Sequence, residues 1–166
     1  MAGLVSNLII SLEGQIDLYN QIIALSAHKK DNIINNDIEN LKKIVADENI
    51  IVPKIMRADK DREKIMQDIC TVLNKKQDEL TLRYLVTLVE GQPEYNELKD
   101  AVERLGKAAE EMKNINENNK MLLEQALEFV DYNMNMIHSA FAETPAGYEE
   151  PMDDVVGRKN LLDIEG

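Results

Sequence analysis

Tryptophan is absent from the 166 residues, phenylalanine occurs only twice, and aromatics together make up 4%. A β-sandwich or barrel fills its core with β-branched and aromatic side chains and joins its strands by frequent turns. Seven glycines and four prolines are too few for that architecture, so long helices are expected. Cysteine occurs once, at Cys70, which rules out an intrachain disulfide and a cysteine-built metal site. Cys70 follows Ile69 on an apolar helical stripe, the setting of a buried structural thiol. Long hydrophobic runs are missing as well. MAGLVSNLIISLEGQ has no basic start, its apolar run is short, and Glu13 interrupts it. It fits neither a signal peptide nor a membrane span, and a cytoplasmic protein without membrane insertion is expected.

Positive charge is scarce. Asp and Glu number 31 against 19 Lys and Arg, a formal charge of −12. Such a chain repels phosphate backbones unless it carries a local basic patch, and nucleic acid is not an expected partner. The bases are interleaved with acids, as in DKDREK, which is the pattern of a solvated helix face laced with i,i+4 pairs.

What is present is helical periodicity. Hydrophobic residues make up 44%, enough for one modest core. Leu4 or Val5, Leu8, Ile9, Leu12, Ile16, Tyr19, Ile22 or Ile23 and Ala27 step by three and four, predicting a first amphipathic helix that ends within HKKDNIINND. A second helix starts near Asn36 or Asp37, with its stripe running Ile38, Leu41, Ile44 or Val45, Ile51 or Val52, Ile55, Ile65, Ile69 and Leu73. Pro53 lies inside it and predicts a kink, not a reversal. Between Arg57 and Lys64 apolar content nearly vanishes, so that stretch is expected to be exposed on most sides and to project beyond the other helices. LTLRYLVTLVEG, residues 80–91, predicts a short helix closed by Gly91, and Pro93 is expected at the first position of the last helix.

That last stripe runs Leu98, Val102, Leu105, Ala108 or Ala109, Met112, Ile115, Asn119, Leu122, Ala126, Phe129, Asn133, Met136 or Ile137, and Ala140. Its length is that of a coiled-coil-like bundle. The fold class is therefore all-α: an elongated antiparallel bundle or coiled coil of three long helices plus one short helix, with a mobile C-terminal tail. Residues 1–141 form the helical domain. Residues 142–166 carry Pro145, Pro151 and, from Glu143, seven acids against two bases, the composition of an acidic tail without fixed structure. NLLDI within it is too apolar for a spacer and is a candidate docking segment, on this chain or on another.

Catalytic chemistry is not evident. The seven glycines form no phosphate-binding loop. A helical di-iron site needs Glu-x-x-His pairs, whereas Leu25 and Asn135 stand three before His28 and His138. The carboxylates lie on repeating helix faces, where solvation explains them better than acid–base catalysis. No catalytic, metal or cofactor residue is assigned, and an enzyme is not expected.

The segment NKMLLEQALEFVDYNMNMIHSAF, residues 119–141, places Asn119 and Asn133 on the seam, with Met134 and Met136 near it. Asn there is expected to weaken permanent closure between helices, and Met to repack around different apolar shapes. Met and Phe at this spacing also suit an ordinary core.

LEGQIDLYNQIIALSAHKK, NNDIENLKKIVADEN and DREKI, then NINENNKMLLEQALEFVDYNMNMI and a tail with Gly147 and Tyr148, resemble the FlgN-type flagellar export chaperones over nearly the whole chain. The resemblance implies a cytoplasmic chaperone of flagellar type III export. Such a chaperone binds the helical ends of hook–filament junction (hook-associated) proteins, keeps them unassembled and delivers them for export. Export-apparatus components are further partners it allows. It also implies binding through the last helix and adjoining tail, here Leu123, Ala126, Val130, Met134, Ile137 and Phe141, with Tyr148, Leu161, Leu162 and Ile164 as additions. On this reading that stripe forms one flank of the helix, while Leu122, Phe129 and Met136 form a neighbouring flank that faces the first two helices. The alternatives are a structural coiled-coil homodimer and an acidic helical regulator that sequesters a partner protein. For the tail, rapid amide exchange is expected from Glu143 onward in the free protein; strong protection across Asn160–Ile164 in a monomer would show the segment already docked.

Overall fold

The structure is a computed structural model, and it describes residues 1–142. Four α-helices follow in order: α1 (Ala2–Ile34), α2 (Ile38–Val72), α3 (Leu82–Leu88) and α4 (Tyr95–Ala142), with a single 3₁₀ turn, Gln77–Glu79, before α3. There is no strand among the described residues, so the chain is all-α as its periodicity predicts.

The chain reverses where asparagine permits it. Asn36 and Asn74, each two residues past the end of a long helix, hold φ of 55° and 52°. Asn tolerates the left-handed region better than most side chains. In both places the orphan carbonyls of the last turn are satisfied in the same way. After α1, Asn36 N–H donates to Ile33 O at 3.3 Å and Asp37 N–H to Asn32 O at 2.9 Å. After α2, Asn74 N–H donates to Thr71 O at 3.2 Å and Lys75 N–H to Cys70 O at 2.9 Å. This is the Schellman pattern with Asn standing where Gly is usual. Asp37 then caps α2, its Oδ1 accepting from Asn40 N–H at 3.2 Å. Gly91, at φ 85°, makes the third turn, a backbone conformation that disfavours any side chain.

Cross-helix pairs give the directions. Gln15 reaches Asp59 and Lys29 reaches Glu48, so α1 and α2 are antiparallel. Glu13 pairs with Arg104 and Ser26 with Asn119, so α4 runs in the same direction as α1. The three long helices go up, down and up. One end of this bundle holds the main core: Val5, Leu8, Leu12 and Ile16 of α1, Met66, Ile69 and Cys70 of α2, Leu85 of α3, and Leu98, Ala101 and Leu105 of α4. Cys70 is buried, as its stripe position predicts, with Sγ 4.0 Å from Lys76 O.

Three expectations need revision. Pro93 is not at the first position of α4; it lies in the preceding turn, and the helix begins at Tyr95. Its fixed φ shapes the entry instead, where Tyr95 N–H bonds to Gln92 O at 3.1 Å. The Arg57–Lys64 stretch is mostly exposed, but it lies against α1: Asp59 Oδ1 accepts from Gln15 Nε2 at 3.3 Å and from Arg62 Nη2 at 2.6 Å. On α1, Ser26 is buried where Ala27 was expected. α2 continues as one helix through Pro53.

By residue contacts the chain divides after Glu128. The first unit, Met1–Glu128, contains the whole core. Of the second, Phe129–Gly166, the described part is the last stretch of α4. Because Leu12 is fully enclosed, Leu12→Ala should lower unfolding free energy by about 2–5 kcal/mol, read as a reduced urea midpoint with an unchanged slope.

Candidate functional site

α4 presents one stripe whose surroundings change along its length. Leu98, Ala101, Leu105 and Ala108 are buried, Met112 and Ile115 half-buried, Asn119 buried, and Leu122, Leu123 and Ala126 half-buried. From Leu127 to Ala142 every residue is exposed. The eight large apolar side chains there range from 38% exposed at Leu127 to 74% at Phe141.

The register of α1 against α4 explains where the cover ends. Arg104 lies 91 positions after Glu13, and Asn119 lies 93 after Ser26. Midway between these offsets, Ile34, the last residue of α1, falls beside Ala126. Helices of 33 and 35 residues cannot flank a helix of 48 along its whole length. The apolar pattern on α4 nevertheless continues.

Both ties along that register are polar. Arg104 forms a two-pronged ion pair with Glu13, Nη1 donating to Oε2 at 3.0 Å and Nη2 to Oε1, and its Nε donates to Asp100 Oδ2 at 2.7 Å. Glu13 first, and then Asp100, hold the guanidinium pKa above its ordinary value, so it stays charged. Asn119 Nδ2 donates to Ser26 O at 2.9 Å from a buried position. This corrects the expectation that Asn119 loosens helix closure. With an acceptor aligned on α1, a buried amide adds a specific bond between helices. Asn133, two heptads on, is exposed and has no such neighbour. Buried polar atoms also occur along α1: Ser26 Oγ and Gln15 Oε1 have no hydrogen-bond partner.

The expected site residues fall on this stripe. At about 100° per residue, Leu123, Ala126, Val130, Met134, Ile137 and Phe141 occupy an arc of about 80°. Leu98, Ala101, Leu105, Ala108 and Asn119 occupy the same arc. Within the helix the expected stripe thus shares the angular position of the residues that are buried in the first unit. Of the flank expected to face the first two helices, Leu122 is half-buried, and Phe129 and Met136 are 66% and 56% exposed. Leu123 and Ala126 sit at the half-covered margin, and Val130, Met134, Ile137 and Phe141 on the uncovered part. Tyr148, Leu161, Leu162 and Ile164 lie outside the described residues. Two members of the exposed patch were missed, Leu127 and Tyr132. The 123–127–130–134 spacing would have identified Leu127.

Other surface features offer less chemistry. A cavity of about 280 Å³ near the α1–α2 turn is lined by His28, Asp31, Asn32, Asn40, Lys43 and Ile44. It brings one imidazole near one carboxylate and contains no Ser, Thr or Cys. Among the described residues no group of three or more His, Cys, Asp or Glu is placed to hold a metal ion, and no helix is long and apolar enough to cross a membrane.

A family model described as FlgN protein matches residues 1–151. No curated protein and no solved structure matches the chain.

Because Val130 and Ile137 are 53% and 49% exposed, Val130→Asp with Ile137→Asp should leave the urea midpoint of the main transition nearly unchanged, a shift of about 0.5 kcal/mol or less. Leu105→Asp, one charge in the covered part of the same stripe, should abolish cooperative unfolding. Equal damage from both would show that the distal stripe is core.

Proposed function

Because this chain belongs to the FlgN family, a family of flagellar export chaperones, we propose that it binds the helical ends of hook–filament junction proteins, keeps them unassembled in the cytoplasm and delivers them for type III export. The observation that carries this reading is the uncovered prolongation of the α4 core stripe, Val130 to Phe141. A contiguous exposed apolar patch on a protein surface marks an interaction site. Its 3–4 spacing suits a helix laid alongside, which would supply beyond Ala126 the apolar neighbour that α1 supplies before it.

The side chains suit a client that folds as it binds. Met134 and Met136 are unbranched and polarizable, so they adapt to different apolar surfaces. Val130, Ile137 and Phe141 contribute bulk, and completing the burial of each half-exposed side chain would add about 1–2 kcal/mol. A short face of this kind gives reversible binding, as delivery requires. Tyr148 and the segment with Leu161, Leu162 and Ile164 are proposed extensions of the same surface.

The test is calorimetric titration of the full chain with the C-terminal helical segment of a hook-associated protein. Val130→Asp with Ile137→Asp should weaken binding by at least about a hundredfold, because each carboxylate would be desolvated against an apolar partner. Unchanged affinity in a folded double variant would remove this face from the mechanism. A tight homodimer that excludes the client would favour the structural coiled-coil reading.

A further inference from the structure

Methionine occupies two kinds of position in the helices. Met66 is enclosed in the core at 9% exposure and Met112 is half-buried, whereas Met56, Met121, Met134 and Met136 are 60%, 57%, 45% and 56% exposed. Met56 and Met121 belong to the first unit, and Met134 and Met136 to the exposed last stretch of α4 in the second. Within that stretch, at about 100° per residue, Val130, Met134 and Ile137 stand within about 60° of one another, and Met136 lies about 160° round the helix from Met134. Val130 and Ile137 are hydrocarbon and resist mild oxidants. Met134 between them carries a thioether, and nearly half of the residue is open to solvent.

We propose that Met134 is a modification site: a peroxide converts it reversibly to methionine sulfoxide, and this oxidation releases a client helix from the face that Met134 shares with Val130 and Ile137. The proposal rests on the client-binding reading and adds the regulation of that face. In the forward step a lone pair of the thioether sulfur takes one oxygen from hydrogen peroxide as the O–O bond breaks. Sulfur is oxidised by two electrons, and the second oxygen leaves with both hydrogens as water. A thiol-dependent sulfoxide reductase reverses the change: the sulfoxide oxygen leaves as water while two thiols close to a disulfide.

The effect on binding follows from the neighbours. A thioether buries readily and repacks around apolar shapes, whereas a sulfoxide is polar and holds hydrogen bonds to water. At an exposed position in the free chain that oxygen stays hydrated, so the helix tolerates it. Against the apolar seam of a client it loses its water, and Val130 and Ile137 offer no donor in return. The fold itself is insulated, because the methionine of the core, Met66, is shielded from the oxidant. Met56 and Met121 are exposed but lie outside this stretch, and Met136 lies outside the arc, so each serves as an internal control.

The full chain is treated with hydrogen peroxide, freed of it, mapped by mass spectrometry and titrated with the C-terminal helical segment of a hook-associated protein. Met121, Met134 and Met136 should take up oxygen well before Met66. The oxidised chain should bind about tenfold more weakly or worse, with an unchanged urea midpoint, and a sulfoxide reductase with dithiothreitol should restore the affinity. The decisive quantity is the ratio of affinities before and after treatment. Met134→Leu should bring that ratio close to one whatever its starting affinity, whereas Met136→Leu should leave it as in the unaltered chain. Met134→Gln, which sets a polar side chain there without any oxidant, should weaken binding by a factor similar to that of oxidation. Retained affinity with Met134 fully oxidised, or a Met134→Leu chain as sensitive as the original, would overturn the proposal while leaving client binding intact. So would a Met134 that stays reduced while Met121 is oxidised. Failure of the untreated chain to bind the segment would overturn the client-binding reading, and the proposal with it.

Discussion

Ile34 is the last residue of α1 because Asn36 takes a left-handed backbone and the carbonyls of the last turn close on it and on Asp37. That turn sets how far α1 can accompany α4. The Glu13–Arg104 pair and the Ser26–Asn119 bond fix the register, and the register brings the end of α1 beside Ala126. The helical stripe of α4 does not stop there. Residues of that pattern from Leu98 to Asn119 are buried in the first unit, and those from Leu127 on are exposed.

Packing is graded along the bundle in the same sense. The end that contains Leu8, Leu12, Ile69, Leu85 and Leu98 is apolar and closed. Toward Asn119 the contact becomes polar, with Ser26 Oγ buried and unpartnered and Ser26 O accepting from Asn119. Unsatisfied buried groups and sparse apolar contact lower the local cost of opening. The stretch of α4 that adjoins the exposed surface therefore lies at the less stable end of its unit.

Asn119 shows why the seam polarity could be read two ways. Its position on the stripe was legible, and in a coiled coil a seam asparagine often weakens association. Whether it does so depends on an acceptor within reach. Here Ser26 O is 2.9 Å away, so the polar residue specifies the register. Ser26 itself was passed over in favour of Ala27, because a serine on a helix face gives little hydrophobic signal. Pro93 was assigned to the helix start by its frequency there, whereas the turn after Gly91 uses it two residues before the helix begins.

The sequence by itself determined the all-α class, the three long helices and the short one, a break within HKKDNIINND with the second helix starting near Asn36 or Asp37, a turn at Gly91, and the stripe from Leu98 to Phe141. These follow from short-range physics: 3.6-residue periodicity, backbone preferences and side-chain caps act between residues a few positions apart. Which part of that stripe is covered depended on pairs 91 and 93 positions apart, and no local pattern encodes that distance. Val130 and Leu105 look alike in the sequence. Only the tertiary structure, through the Glu13–Arg104 and Ser26–Asn119 ties, shows which of the two is buried: Leu105 is buried and Val130 is exposed.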